Sequence, residues 1–475
     1  MTAQSGVIFP STSSSATGRK ALTDALAEAD PVGSRAAANE TNWRRGYLHH
    51  FRRAVEAGIG RPDQAVSIPQ RGLDALHGEF RFAANDRSVP LDEAIASRDS
   101  ALSLKTATIT GTGTPDVEFS LPHNGERLRG PALYDQLDDW TTRGVISTSC
   151  ADAVRDVIDN PGWLQLEGKK MVVLGAAAEM SPLQALLRWG AEVVAVDLPR
   201  PDLQERIGQL AASGAGIVHL PARDGSTHGA DLIHELPELA RWLDGLDGRL
   251  VLGNYCYADG ATHVRVAMAG DAIAQHLVGR RPDTALAFLA TPTDVFAVPA
   301  DDVARANAEY AKRGIAKVIR RPLRLISRGA LLQRNYPPDA DPGICDALVP
   351  QQGPNYALAK RIHRWRATAA RHEGTTVSMN VAPATRTRSV VKNKALAAAY
   401  AGAHRFGVEV FEPATSNTLM AALLVHDLHT GSPALAEPWL DEAHHAAHGG
   451  LWTSGYHPRS ALGLAAVLGV GGIRG

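Results

Sequence analysis

The sequence predicts an α/β protein built on a doubly wound parallel sheet, preceded by an additional N-terminal mixed domain. Three observations carry this. From residue 169 onward, short apolar runs alternate with amphipathic helical segments through six strand candidates. The runs are apolar throughout rather than at every second residue, as strands buried on both faces should be. Aromatic residues make up only 5% of the chain, while small residues abound, which suits helices packed closely on a sheet.

At 475 residues the chain is long enough for two or three domains. Its formal net charge is −1 with 21% charged residues, a balance that suggests neither a nucleic-acid partner nor a membrane surface. Cys150, Cys256 and Cys345 lie far apart without CxxC spacing, which argues against a disulfide framework or zinc ribbon and fits a reducing, cytoplasmic setting. The first residues lack the apolar core of a signal peptide, and the apolar stretch Ala461 to Ile473 is too short and Gly-rich to span a bilayer.

The Ser/Thr-rich residues 1–20 read as a flexible tail. Residues 21–160 read as the mixed N-terminal domain, with helices at Ala21 to Ala29 and Asn42 to Ala57 and a strand at Leu102 to Thr110. Two amphipathic helices follow, one closed by Gly144 and the next capped by Ser149; they are free to pack on what comes after. Pro161-Gly162 marks the boundary. KKMVVLG (169–175) is the first buried strand, followed by a helix with Ser181 as N-cap and Pro182 at its first position. AEVVAVD, GAGIVHL, GRLVLGN and TALAFLAT are the next four strands. After an insertion at about 294–350, NYALAKRIHRWRATAARHEG forms a helix and TTVSMNVAP the sixth strand.

In such sheets ligands bind beyond the carboxyl ends of the strands. The turn GAAAEMS (175–181) lies there; Gly175, Ala177, Met180 and Ser181 are candidates to approach a pyrophosphate, although only one glycine of the usual three is present and Glu179 is an awkward neighbour. Asp197 ends the second strand about twenty residues later, where an acid can bind ribose hydroxyls and favour NAD, or can simply cap a turn; Arg200 nearby could instead accommodate NADP. Asp224 and Asn254, after the third and fourth strands, are further candidates beside the cofactor, and each is also an ordinary turn residue.

Tyr356 and Lys360 stand four apart on one helix face. An ammonium beside a phenol stabilises phenolate and lowers the tyrosine's proton affinity, which suits acid/base work on a substrate oxygen. With these residues the chain resembles the short-chain dehydrogenase/reductase family, over about residues 165–430. NYALAK is similar to that family's YxxxK segment. VSMNVAPATRT resembles its strand-six end, which places Pro383 and Thr385 over a nicotinamide, and LGNY resembles its Asn-Asn-Ala-Gly element. The resemblance implies a Rossmann-type NAD(P)-binding catalytic domain over 161–475 and an oxidoreductase acting on a carbonyl/alcohol pair of a small molecule, or reducing a related conjugated substrate. Members of the family often form homo-oligomers through the YxxxK helix, a surface that an added domain could block. The family's strand-five serine is replaced by ATPTD, where Thr291 or Thr293 could supply the hydroxyl or could equally cap the turn, and its helix-four asparagine has no clear counterpart.

An S-adenosylmethionine-dependent methyltransferase, or a non-catalytic dinucleotide-binding or scaffold protein, is the alternative that the poor glycine turn leaves open. Of the late histidines, His444 and His448 share a helix face at metal-ligand spacing, but no carboxylate completes HExxH and no metal is expected. GGLWTSGYHPRS shapes a substrate pocket or a packed terminal loop. Arg361, Arg364 and Arg366 read as a solvated helix edge.

Overall fold

The computed structural model describes residues 5–9, 13–84, 87–97, 103–223, 227–312, 322–431 and 434–470. Its centre is an eight-stranded sheet. In chain order the strands are β1 (Lys105–Thr110), β2 (Lys169–Leu174), β3 (Glu192–Val196), β4 (Ile217–Arg223), β5 (Thr227–His228), β6 (Arg249–Asn254), β7 (Ala285–Ala290) and β8 (Val377–Val381). They lie in the order β1-β4-β3-β2-β6-β7-β8, with β5 on the end of β4. The six predicted parallel strands are all present, and counted among themselves they run 3-2-1-4-5-6.

Successive strand residues point to opposite faces, and each face has its own hydrophobic core. Val172, Leu174, Leu250, Leu252, Phe288 and Met379 enter one cluster, while Met171, Val173, Val193, Val251 and Ala287 enter the other. The first face carries α1 (Ser14–Leu26), α2 (Trp43–Glu56), α3 (Pro62–Glu79), α8 (Leu236–Asp244), α9 (Ala261–Arg280) and α10 (Pro354–His372). The second carries α4 (Gly130–Arg143), α5 (Thr148–Asp159), α6 (Leu183–Trp189), α7 (Pro201–Ser213) and α12 (Pro413–Thr430). Two further helices, α11 (Lys394–Gly402) and α13 (Pro458–Gly469), pack on each other above the carboxyl ends of the strands.

The boundary expected near 160 falls inside these continuous layers. Strand β1 pairs antiparallel with β4, α1–α3 share the first core, and α4 and α5 share the second. The expected flexible tail also holds structure: Gly6–Ile8 pairs with Arg81–Ala84, Val7 is fully buried, and α1 begins at Ser14. Its polar composition hid this, because only one side of each element faces the core.

The helix carrying Tyr356 and Lys360 is enclosed within the chain. Helix α3 crosses α10 so closely that a Cβ on Gly72 would lie 2.3 Å from the Trp365 ring. Tyr47 of α2 donates its hydroxyl proton to the Val349 carbonyl at 3.2 Å. The surface through which the resemblance implies subunits meet is therefore covered by α2 and α3. Among the described residues no helix is long and apolar enough to cross a membrane.

Local corrections follow from hydrogen bonding. Ser147, not Ser149, caps α5 by accepting from Cys150 N at 3.1 Å. Helix α6 begins at Leu183, with the Ser181 hydroxyl accepting from Leu183 N at 3.2 Å. Helix α7, between β3 and β4, was not marked by apolar periodicity because only Ile207 and Ala211 of it are buried.

Candidate functional site

Strands β2 and β6 are neighbours at the point where the strand order reverses, and a cleft of about 1090 Å³ lies beyond the carboxyl ends of the sheet. Gly175 opens the turn after β2 with φ +81, and its backbone lies against the next chain segment: a Cβ there would stand 2.9 Å from Cys256 N. Only glycine combines that dihedral with that approach. On the neighbouring strand Asn254, paired with Leu174, ends β6, its Oδ1 accepting from Cys256 N at 3.2 Å and its Nδ2 buried without a partner among the described residues. Helix α9 makes room for it with Gly270, whose Cβ would lie 2.3 Å from Asn254 Nδ2.

The cleft gathers nine of the candidate residues: Ala177, Met180, Asn254, Thr291, Thr293, Tyr356, Lys360, Pro383 and Thr385. Thr291 and Thr293 extend from β7, and their hydroxyls share a hydrogen bond of 2.9 Å. Gln352 donates to Thr293 Oγ1 at 2.6 Å and accepts from Val349 N at 3.1 Å, which fixes the pair to the start of α10. Sequence reasoning missed Gln352, which lies in the insertion region's last loop and carries no motif.

The electrostatics differ from the expected phenolate. Burial pushes the Tyr356 phenol well above its usual value, opposed by the Thr291 hydroxyl beside it. Burial also lowers Lys360 from 10.5 to about 8, opposed by Cys256. Dehydration is thus the dominant influence at both groups. Against the Tyr356 ring lies His263 of α9, with ring centres 5.6 Å apart; burial, and next the Lys360 charge, hold that imidazole down to about 3. His263 therefore stays neutral, and it too was missed, as one unflagged histidine in an apolar helix.

The cofactor candidates are divided. Gly175, Ser181 and Asp197 do not border the cleft. Ser181 is buried on Leu183 N. Asp197 accepts from Ala177 N at 2.7 Å and Leu198 N at 2.8 Å, so it stabilises the turn, and burial raises its proton affinity. Arg200 pairs with Asp202. Asp224 lies outside the described residues. The turn amides of Gly175 and Ala176 both donate to Val196 O, and that of Ala178 to Gly175 O. Glu179 accepts from Arg388 N at 2.8 Å, which carries its charge across the mouth and away from the turn. Thr385 turns its hydroxyl inward to Ser416, 2.6 Å away.

Beyond Tyr356 the cleft becomes apolar. Leu396, Tyr400, Phe406, Leu462 and Ala465 line it under α11 and α13. These helices touch backbone to backbone: a Cβ on Gly402 would lie 2.0 Å from Ala465 O, and one on Gly469 1.9 Å from Ala398 O. Tyr456 of the GGLWTSGYHPRS stretch borders the cleft, while Trp452 is fully buried.

Two side-chain readings are corrected. Arg361, Arg364 and Arg366 are buried, not solvated: Asp294 pairs with Arg361 at 2.8 Å and Arg364 at 2.7 Å, and Asp271 pairs with Arg366 at 2.8 Å. His444 and His448 are not on a helix, since the segment Pro438–Ala443 ends before them. No protein-family model and no curated protein matches this chain.

Proposed function

We propose that the cleft is the active site of an NAD- or NADP-dependent oxidoreductase that interconverts a carbonyl and an alcohol on a small organic molecule. The observation that carries this is the meeting of Tyr356, Thr291 and Lys360 at the carboxyl ends of β6–β8. The 3-2-1-4-5-6 order supports it, being that of dinucleotide-binding Rossmann sheets, which bind where the order reverses. The resemblance to short-chain dehydrogenase/reductases points the same way.

The residues fit a dinucleotide best at its nicotinamide end. Asn254 and Lys360 both border the cleft there, and Lys360 has no carboxylate partner among the described residues; Lys360, with Asn254 beside it, would hold the nicotinamide ribose. Toward the diphosphate the turn amides are largely engaged, but Ala177, Ala178, Glu179 and Met180 border the cleft, and Arg206 beside them supplies positive charge. The bound cofactor supplies or accepts the hydride.

Tyr356 and Thr291 bind the substrate oxygen. With its proton affinity raised, Tyr356 is a phenol at neutral pH and donates that proton to the carbonyl oxygen during reduction. Thr293 and Gln352 hold the Thr291 hydroxyl in line. Lys360, one helical turn on, favours the phenolate left behind.

Titrating the purified protein with NADH, NADPH and S-adenosylmethionine, followed by nicotinamide fluorescence and melting temperature, tests the reading. A response to at least one dinucleotide, with turnover on a panel of ketones and aldehydes, is expected. Binding of S-adenosylmethionine with no response to either dinucleotide would overturn it in favour of methyl transfer.

A further inference from the structure

On the second face of the sheet, outside the cleft lining, lies a buried cluster that the proposed reaction does not use. His426 and Asp427 come from α12, and His445 from the loop after Pro438–Ala443. Ligand atoms of the three all lie within 4.8 Å of one another. Asp427 Oδ1 is 3.2 Å from His426 Nδ1 and 3.3 Å from His445 Nδ1. Tetrahedral ligands about 2.0–2.1 Å from a zinc ion stand roughly 3.3–3.4 Å from one another, so these separations are already those of a coordination edge.

We propose that His426, Asp427 and His445 bind a divalent first-row transition-metal ion, with Zn²⁺ the ion that best fits the donors. Two imidazoles and one carboxylate disfavour the oxygen-seeking Ca²⁺ and Mg²⁺ and leave a fourth position for solvent.

The outer shell is built as metal sites require. Asp427 Oδ2, the oxygen turned away from both imidazoles, accepts from Ser378 Oγ at 2.7 Å and Asn380 Nδ2 at 2.8 Å. His426 turns its other ring nitrogen to Asp156, 3.4 Å away, and that carboxylate's side chain is 57% exposed, giving an entry path. His445 adopts φ +57, a left-handed conformation that few non-glycine residues take and that histidine tolerates better than most, and Ser149 Oγ accepts from its backbone N–H at 3.0 Å. Four segments (α5, β8, α12 and the loop) thus converge on one point. The same loop continues to Leu451, Ser454 and Tyr456 of the cleft wall, so the ion would anchor that wall to α12.

Zn²⁺ titration of the metal-stripped full chain by calorimetry, together with Co²⁺ absorption, tests this. The expected result is one ion per chain, a melting temperature raised by roughly a few degrees at saturation, and visible bands of tetrahedral Co²⁺. His445→Ala and His426→Ala should abolish binding, Asp156→Asn should weaken it by about 10-fold or more, and His444→Ala, outside the donor set, should leave it intact. Absence of a one-to-one complex in the wild type, or equal Zn²⁺ affinity in His445→Ala, overturns the proposal. If both histidine variants fail to fold, the wild-type Co²⁺ spectrum decides: the weak bands of six-coordinate cobalt refute the site, and tetrahedral bands support it. None of these readouts depends on the oxidoreductase reading.

Discussion

Asp294 and Arg364 form an ion pair of 2.7 Å between two side chains that are 1% and 2% exposed, one helical turn beyond Lys360. The second carboxylate oxygen takes Arg361 at 2.8 Å, and Arg364 continues to Glu442. Asp294 closes the TPTD segment that carries Thr291 and Thr293, so this network ties the threonines to the tyrosine helix. The Arg364 guanidinium also lies over the Phe296 ring, 4.1 Å from its centre.

Replacing Asp294 by asparagine should leave two buried guanidinium groups short of charge. Removing one partner of such a pair typically costs about 3–5 kcal/mol. Urea unfolding of Asp294→Asn should show a loss of that order; a change below about 1 kcal/mol would mean that water screens the site.

Much of the fold was legible because buried parallel strands are written as unbroken apolar runs, and each of the six falls where its run falls. The Tyr356–Lys360 placement was legible for the same reason: it depends on counting strands. The arginines of α10 were not legible. KRIHRWR has the polarity of a solvated face, and its partners Asp294, Glu442 and Asp271 lie 67 to 95 residues away. The cleft's apolar roof was hidden similarly, since α11 and α13 are far apart in sequence and meet through small residues rather than through a motif.

For the chemistry, Tyr356→Phe should lower kcat by about 10²–10⁴-fold while dinucleotide affinity stays within roughly 2-fold. Thr291→Ala should fall in the same direction, and Thr293→Ala less, because it acts through Thr291. Steady-state kinetics beside fluorescence titration separates these effects. Retention of near wild-type kcat in Tyr356→Phe would remove the tyrosine from the reaction.

Lys360 makes stability depend on pH in a direction set by its shift. Its folded value of about 8 lies below the ordinary 10.5, so between these values the unfolded chain holds more protons. Stability attributable to this site therefore rises with pH across that window, and the cost is fully present below about pH 8. Lys360→Met should melt at a higher temperature than wild type at pH 7, and the gain should vanish as pH approaches 10.5. A gain that does not change with pH would point to packing instead of charge.

The last prediction concerns the roof. Because a Cβ at Gly402 would lie 2.0 Å from Ala465 O, Gly402→Val must push α11 away from α13. Misfits of this kind cost about 1–3 kcal/mol, and here the strain falls on the wall that lines the apolar end of the cleft. The variant should raise KM for bulky apolar carbonyl substrates by about 10-fold, the factor that roughly 1.4 kcal/mol of lost binding corresponds to. Small substrates reach only the Tyr356 end, so their KM should hold. Comparing a homologous series of ketones of increasing chain length would reveal the difference; an equal KM increase at every length would show that the roof shapes the whole cleft rather than its apolar extension.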